Sequence, residues 1–104
     1  MHARITVVLL LIFSLAGIAS AENSGKAIFT SKCALCHGAD ATGNTAVGKS
    51  FKVKNLRSPE VRNLSDADLK TVITTGKNKM PPFKGKLTDA QIDQVISYIR
   101  ELGK

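Results

Sequence analysis

Two cysteines separated by two residues, with a histidine directly after them, constrain this chain more than any other feature. The segment Cys33-Ala34-Leu35-Cys36-His37 matches the C-x-x-C-H pattern by which haem is attached covalently to a polypeptide. On a helical turn, the two thiols can each add to one of the two vinyl groups of haem, and His37 is then carried beneath the iron. The motif therefore predicts one covalent haem c, held by Cys33 and Cys36 and ligated by His37.

The first 21 residues have the organisation of a secretory signal peptide. A basic start at residues 1–4 precedes an apolar run at 5–18, and the small residues 19–21 form a cleavage pattern. An uncleaved membrane anchor is the alternative, but the run is shorter than the roughly 20 residues of a spanning helix. We therefore predict a cleaved signal peptide over residues 1–21, a monohaem domain over 22–104, and export, with the periplasm as the expected compartment.

Cleavage after Ala21 would leave 83 of the 104 residues, which is barely enough to bury a sufficient core. Small exported domains usually gain stability from disulfides, a metal or a cofactor. The chain has 2 cysteines, so at most one disulfide can form within it. A cofactor is therefore the expected source of the missing core.

Three other sites use the same residue types as the motif. A redox-active C-x-x-C belongs on a βαβ scaffold, which the sequence does not predict. A structural zinc ion normally needs four Cys or His ligands, and the predicted domain offers Cys33, Cys36 and His37 alone. A plain Cys33–Cys36 disulfide is the third alternative. The adjoining His37 and the export signal favour haem over all three.

A second axial ligand follows by elimination. His2 lies in the predicted signal peptide, so bis-histidine ligation within one chain is excluded, and Met80 is the one methionine of the predicted domain. Pro81 and Pro82 follow it and fix their φ angles, which stiffens the loop. Core packing is the alternative role of a methionine. Ligation by His37 and Met80 raises the reduction potential and leaves no open position on the iron, which argues against oxygen or peroxide chemistry.

Three segments show helical patterns. The first runs from about Ser24 to Cys36 and is weakly capped; the second starts after Ser65 and stops at Gly76. The third starts at a capping box that begins with Thr88 and carries a regular apolar stripe. The 26 residues between His37 and Leu64 show no sustained period, and so long a loop needs something to wrap. We predict an all-α fold with three main helices and loops around one haem.

These residues together make the chain resemble a short bacterial class I cytochrome c over nearly the whole predicted domain. Cys33, Cys36, His37 and Met80 occur in the order typical of that family. Gly25 and Phe29 are similar to the residues of the family's first helix that allow a close crossing of the last helix, and Tyr98 matches its aromatic residue there. The resemblance implies a cytochrome c-like fold.

One position departs from the family pattern. The family often has a proline after the haem motif whose carbonyl accepts a hydrogen bond from the proximal histidine, but no proline lies between His37 and Pro59. Such hydrogen bonds to a ligating histidine tune the reduction potential of the iron. The carbonyl that orients His37 stays open, and the segment near Val47 and Gly48 is the candidate.

The expected function is outer-sphere transfer of single electrons by an exported carrier that transforms no substrate and is not an enzyme. A haem subunit of a larger oxidase or dehydrogenase is the alternative, and a haem enzyme or gas sensor is disfavoured by Met80. Without Arg4, the predicted domain keeps 14 of the 15 basic residues against 8 acidic ones, a net charge of +6. We expect a monomer that meets redox partners through an acidic surface on the partner, with no nucleic acid and no stable membrane insertion.

Overall fold

The computed structural model describes residues 24–104, and every regular element in this range is a helix. The predicted signal peptide and its cleavage site lie outside the described residues. The helices are α1 (Gly25–Lys32), α2 (Ala34–His37), α3 (Ala46–Phe51), α4 (Pro59–Arg62), α5 (Asp66–Thr75) and α6 (Asp89–Leu102). The all-α prediction is confirmed. None of the helices formed by residues 24–104 is long and apolar enough to cross a membrane.

The last helix, α6, forms as its sequence predicts. The Thr88 side chain accepts a hydrogen bond from the Gln91 backbone N–H, and the Gln91 side chain accepts one from the Thr88 N–H. This capping box satisfies donors that the first helical turn leaves free. The apolar face buries Ile92, Val95, Ile96 and Ile99. The 3.6-residue period of α6 thus directs one continuous stripe into the core.

Helix α5 also follows its local signals. The Ser65 hydroxyl accepts a hydrogen bond from the Asp68 N–H at 3.0 Å, and two aspartates place negative charge in the first turn. Leu69 and Ile73 are buried on one face, and the helix ends before Gly76. The predicted limits of this helix are confirmed.

The first predicted helix is interrupted in the structure. Cys33 leaves regular helical geometry with φ −117° and ψ −33°, so that α1 ends before it and α2 begins after it. The start of α1 is also better capped than its sequence suggested, because the Ser24 hydroxyl accepts a hydrogen bond from the Ala27 N–H at 3.1 Å. The break gives the attachment segment a helical turn of its own.

The region between His37 and Leu64 contains two helices that the sequence prediction treated as loop. α3 follows Thr45, which caps it, and α4 begins at Pro59, a residue well suited to the first helical position. Each is too short to show a hydrophobic period. The fold is therefore three longer helices, as predicted, with three additional helices of 4 to 6 residues within residues 24–104.

The crossing of α1 and α6 depends on Gly25. A Cβ atom at this position would lie 2.1 Å from the Gln94 carbonyl oxygen and 3.0 Å from the Tyr98 Cβ. The Phe29 and Tyr98 rings stack one turn further along, with centroids 5.5 Å apart and planes tilted by 60°. The close helix crossing implied by the family resemblance is confirmed at these three residues.

The buried side chains fall into two clusters. The first consists of Val61, Leu69, Ile73, Phe83, Ile92 and Ile96. The second consists of Ile28, Phe29, Ala41, Val95 and Ile99. Half-buried Leu56 and Leu87 pack against both clusters. The core is thus divided into two parts with two shared leucines between them.

Candidate haem-binding site

The attachment segment is fixed by backbone hydrogen bonds at both ends of α2. The Cys33 N–H donates to the Phe29 carbonyl at 2.9 Å, which keeps the cysteine on the end of α1, and the His37 N–H donates to the Cys33 carbonyl at 3.0 Å. Cys36 lies on the same turn, and both cysteines are half-buried free thiols. The structure therefore brings Cys33, Cys36 and His37 together on one helical turn.

Burial shapes the ionisation of this segment. Desolvation, with a smaller effect of the charge of Cys36, raises the pKa of the Cys33 thiol to about 11. Redox-active C-x-x-C pairs need a lowered thiol pKa, so this environment does not favour thiol–disulfide exchange. Burial also lowers the pKa of His37, which favours the neutral imidazole, the form that binds metals.

The His37 ring has one buried nitrogen, Nδ1, with no hydrogen-bond partner among the described residues. The backbone near Gly48 does approach the motif, because a Cβ there would lie 2.3 Å from the Cys36 carbonyl oxygen. No carbonyl near Val47 or Gly48 accepts a bond from Nδ1, however. Buried polar atoms nearly always have a partner, so the backbone near Val47 and Gly48 does not supply the acceptor that orients His37.

Thr45 supports the attachment segment from outside, a role that sequence inspection missed. Its hydroxyl lies 3.0 Å from the Leu35 carbonyl and 2.9 Å from the Cys36 carbonyl and donates toward them. The same oxygen accepts the Gly48 N–H at 2.8 Å. Free carbonyls at the end of α2 and a free N–H at the start of α3 are thus satisfied by one side chain. A threonine before a short helix is the signal that indicates this cap.

Thr45→Val is expected to lower the free energy of unfolding of the haem-containing protein by about 2 kcal/mol, because it leaves the Cys36 carbonyl and the Gly48 N–H unpaired. Guanidinium unfolding followed by circular dichroism measures the effect. Thr45→Ser keeps the hydroxyl and is expected to stay within about 0.5 kcal/mol of wild type. Equal stability of the valine and serine variants would contradict this role.

Met80 lies in a tight turn rather than in an open loop. The Lys77 N–H donates to the Met80 carbonyl at 3.1 Å and the Met80 N–H donates to the Lys77 carbonyl at 2.9 Å. Asn78, inside the turn, has the positive φ of 53° that such turns require. The methionine side chain is half-buried against the cluster that contains Ile73. Its position is therefore defined by the backbone as well as by packing.

The chain after Met80 returns to the end of α5. The Phe83 N–H donates to the Ile73 carbonyl at 3.0 Å and the Lys84 N–H donates to the Thr74 carbonyl at 3.1 Å. Phe83 is buried in the same cluster. These bonds fix the two prolines between a turn and an anchored phenylalanine. The Met80 segment is thus held at both ends.

A further contact links the Met80 segment to α3. The Lys79 ammonium nitrogen lies 5.6 Å from the centroid of the exposed Phe51 ring, within the range of a cation–π interaction. α3 itself packs on α2. The Met80 turn and the attachment segment are therefore connected through α3.

The two halves of the candidate site lie on different core clusters. Cys33 and Ala34 pack against the cluster that contains Phe29, and Met80 packs against the cluster that contains Phe83. Leu56 and Leu87 contact both. One neutral nitrogen donor, one soft thioether and two free thiols, set among apolar clusters, form a donor set that fits a covalently attached haem.

Comparison with known proteins identifies the family. A family model described as "Cytochrome C oxidase, cbb3-type, subunit III" matches residues 20–99. The chain belongs to this family of c-type cytochromes. A cytochrome c6 from Petalonia fascia is 33% identical over 79 residues, covering 74% of this chain and 87% of that protein. A cytochrome c6 from Bumilleriopsis filiformis is 37% identical over 83 residues, covering 78% and 90%.

The structural comparison agrees with the sequence comparisons. The solved structure of the c-type cytochrome KustC0563 is similar to this chain, with a TM-score of 0.72 and 26% sequence identity, covering 78% of this chain and 99% of that one. The predicted cytochrome c-like fold is thereby confirmed. A cytochrome of this family carries covalent haem c and transfers electrons, which confirms the predicted cofactor and general function.

Proposed function

We propose that this cytochrome is an exported carrier of single electrons with one haem, joined through Cys33 and Cys36 and ligated axially by His37 and Met80. The observation that supports this most is the attachment turn: two free thiols and a half-buried imidazole on one helical turn of a c-type cytochrome. The anchored Met80 segment, packed against the cluster that contains Ile73 and Phe83, supports the second ligand.

Each proposed residue has a distinct task in electron transfer. When bound, the haem supplies a one-electron Fe(III)/Fe(II) couple. Cys33 and Cys36 prevent loss of the cofactor and fix its orientation. His37 and Met80 would hold the iron as neutral donors, and the thioether of Met80 would stabilise the reduced state, which raises the reduction potential. The apolar clusters beside them exclude water.

The proposed ligation by His37 and Met80 supports a carrier rather than an enzyme, because it would leave no open position on the iron. A haem enzyme or gas sensor needs an open or displaceable sixth position. Native ferrous protein is therefore expected not to bind carbon monoxide.

The name of the matching family model favours a second candidate, a haem subunit of a larger oxidase. The same kind of haem domain can serve as a free carrier or as a subunit of a complex. Affinity purification from the native membrane distinguishes them, because a stationary subunit remains with its complex at low detergent, whereas a free carrier is recovered in the supernatant.

Export to the periplasm is proposed from residues 1–21, with cleavage after Ala21. The intact mass of the secreted protein is expected to equal residues 22–104 plus one haem. Denaturing electrophoresis with haem staining checks that the haem is covalent. A mature mass that retains Met1 contradicts cleavage and supports a membrane-anchored form.

The surface around Met80 is proposed as the site that meets acidic redox partners. Four exposed lysines lie on both sides of Met80. They are Lys77, Lys79, Lys84 and Lys86. The exposed side chain of Phe51, beneath Lys79, adds apolar contact area. Complementary charge accelerates encounter and orients the two partners.

Changing both Lys79 and Lys84 to Glu is expected to slow bimolecular electron transfer with the native partner roughly tenfold at low salt. The wild-type rate is expected to fall as ionic strength rises, because the Debye length shrinks from about 30 Å at 0.01 M to about 10 Å at 0.1 M. Stopped-flow measurements over this range give both effects. The double variant should show a flattened or inverted salt dependence with an unchanged haem spectrum.

A matched control changes Lys26 and Lys104 to Glu, which alters the net charge equally on exposed positions at the two ends of the described chain. This control should retain most of the wild-type rate. Equal slowing in both double variants would show an effect of net charge alone and reject the docking surface. A salt-independent wild-type rate would also reject it and leave the electron-transfer function intact.

A further inference from the structure

Gly76 occupies a position where the chain has no room for a side chain. It follows α5 with φ 76° and ψ 167°, a combination that is almost restricted to glycine. A Cβ atom there would lie 2.7 Å from the Met80 carbonyl oxygen, 2.9 Å from the Pro82 nitrogen and 3.1 Å from the Pro81 carbonyl carbon. All three are backbone atoms, so no side-chain rotation relieves the contact.

The segment that faces Gly76 has little freedom to move away. Reciprocal bonds between Lys77 and Met80 close the turn on one side, and the Phe83 N–H is bonded to the Ile73 carbonyl on the other. The prolines between these anchors have fixed φ angles. A side chain at position 76 must therefore either break an anchor or displace the whole Met80–Pro82 backbone from the end of α5.

We propose that Gly76 is the positioning residue for the Met80 ligand: its lack of a side chain allows the Met80–Pro82 backbone to lie against α5 and sets the reach of the thioether toward the iron. The inference rests on the proposed role of Met80 as axial ligand. According to this inference, Gly76 determines how firmly the Met80 sulfur is held at the sixth ligand position of the iron. A displacement of the Met80–Pro82 backbone would move the sulfur with it. Gly76 does not itself touch the haem.

Gly85 provides a matched control in the next turn of the same segment. Its φ of 78° is nearly that of Gly76, but no atom lies within 4 Å of a Cβ built there. Alanine at either position meets the strain of a positive φ. Only the alanine at position 76 also clashes with the backbone of the Met80 segment. A comparison of the two variants therefore separates the general cost of a positive φ from the added effect of the crowded backbone geometry at Gly76, where ψ is 167°.

Gly76→Ala is expected to weaken the Fe(III)–sulfur absorption band, lower the reduction potential, and bind cyanide in the ferric state roughly tenfold faster than wild type, since steric overlap of this kind favours the displaced segment. Gly85→Ala is expected to match wild type in all three measurements. Covalent haem should be retained in both, as shown by haem staining. Equal cyanide rates in Gly76→Ala and Gly85→Ala would overturn the inference.

Wild-type protein separates this inference from the assignment on which it rests. If wild type lacks the Fe(III)–sulfur band, the Met80 assignment has failed; if wild type has the band and Gly76→Ala keeps it unchanged, the Gly76 inference alone has failed.

A second variant tests the inference even if Gly76→Ala alone folds poorly. Gly76→Ala combined with Met80→Ala, in saturating imidazole, takes its sixth ligand from solution, so the strain and the backbone overlap at position 76 remain but no longer displace a protein ligand. The loss of stability caused by Gly76→Ala is therefore expected to be larger when Met80 is present than in the Met80→Ala background with imidazole. An equal loss in both backgrounds would overturn the inference, since Gly76 would then serve folding rather than the ligand.

Discussion

Replacing both Cys33 and Cys36 with alanine is expected to leave a chain that carries no covalent haem and is largely unfolded at 25 °C. The predicted domain of 83 residues would have a free energy of unfolding of only about 4–12 kcal/mol. Its two apolar clusters are joined by half-buried Leu56 and Leu87, and a chain this small has little core of its own to replace a lost cofactor. Far-UV circular dichroism of the purified double variant should show little helix, and haem staining should show no band.

The single variants distinguish haem attachment from a structural disulfide. Cys33→Ala and Cys36→Ala each retain one thiol for attachment, and each keeps His37. Both are expected to carry covalent haem and to remain helical, with reduced stability. A disulfide between the cysteines predicts instead that each single variant is as unstable as the double variant. A well-folded, haem-free double variant would reject the proposed attachment.

The helices that the sequence predicts well are those whose signals lie within the helix itself. Ser65 and Thr88 each cap the helix that follows them, and glycines mark the ends. Helix α6 has 14 residues, almost four turns, and its apolar stripe from Ile92 to Ile99 is long enough to show the helical period. Local hydrogen bonds and one buried face decide these segments, so their limits follow from neighbouring residues.

The missed features depend on contacts that no local pattern contains. Thr45 bonds to carbonyls nine and ten residues earlier in the chain. Arg100 donates to the Arg62 carbonyl at 3.1 Å and pairs with Asp66 at 2.9 Å, which joins α6 to the junction of α4 and α5. Backbone carbonyls are present at every residue, so sequence identity cannot indicate which of them a distant side chain reaches.

The candidate site also combines features that the sequence predicts with features that depend on tertiary contacts. The identities of its four residues follow from the sequence because C-x-x-C-H is specific and because one histidine and one methionine remain after the predicted signal peptide. The break at Cys33, the Lys79–Phe51 contact and the bare backbone surface at Gly76 arise from tertiary packing. Composition and residue spacing thus predict the chemistry of the candidate site, but they do not predict the contacts that make it rigid.

Met80→Ala is expected to abolish the weak Fe(III)–sulfur absorption band and to lower the reduction potential by on the order of 0.1 V or more, because the axial ligand is a main determinant of haem potential. The ferrous variant should then bind carbon monoxide, whereas wild type is expected not to bind it. Absorption spectra of both oxidation states and a potentiometric titration measure these changes.

Met80→Leu is the variant that separates ligation from packing. Leucine is close to methionine in volume and retains apolar contact with the cluster around Ile73 and Phe83, so its cost in stability should be less than about 1.5 kcal/mol. It has no donor atom for iron. If Met80 is the ligand, the leucine variant loses the band and binds carbon monoxide as fully as Met80→Ala while unfolding at a higher denaturant concentration. If Met80 is core packing alone, the leucine variant keeps the wild-type spectrum and potential, and the sixth ligand must come from elsewhere.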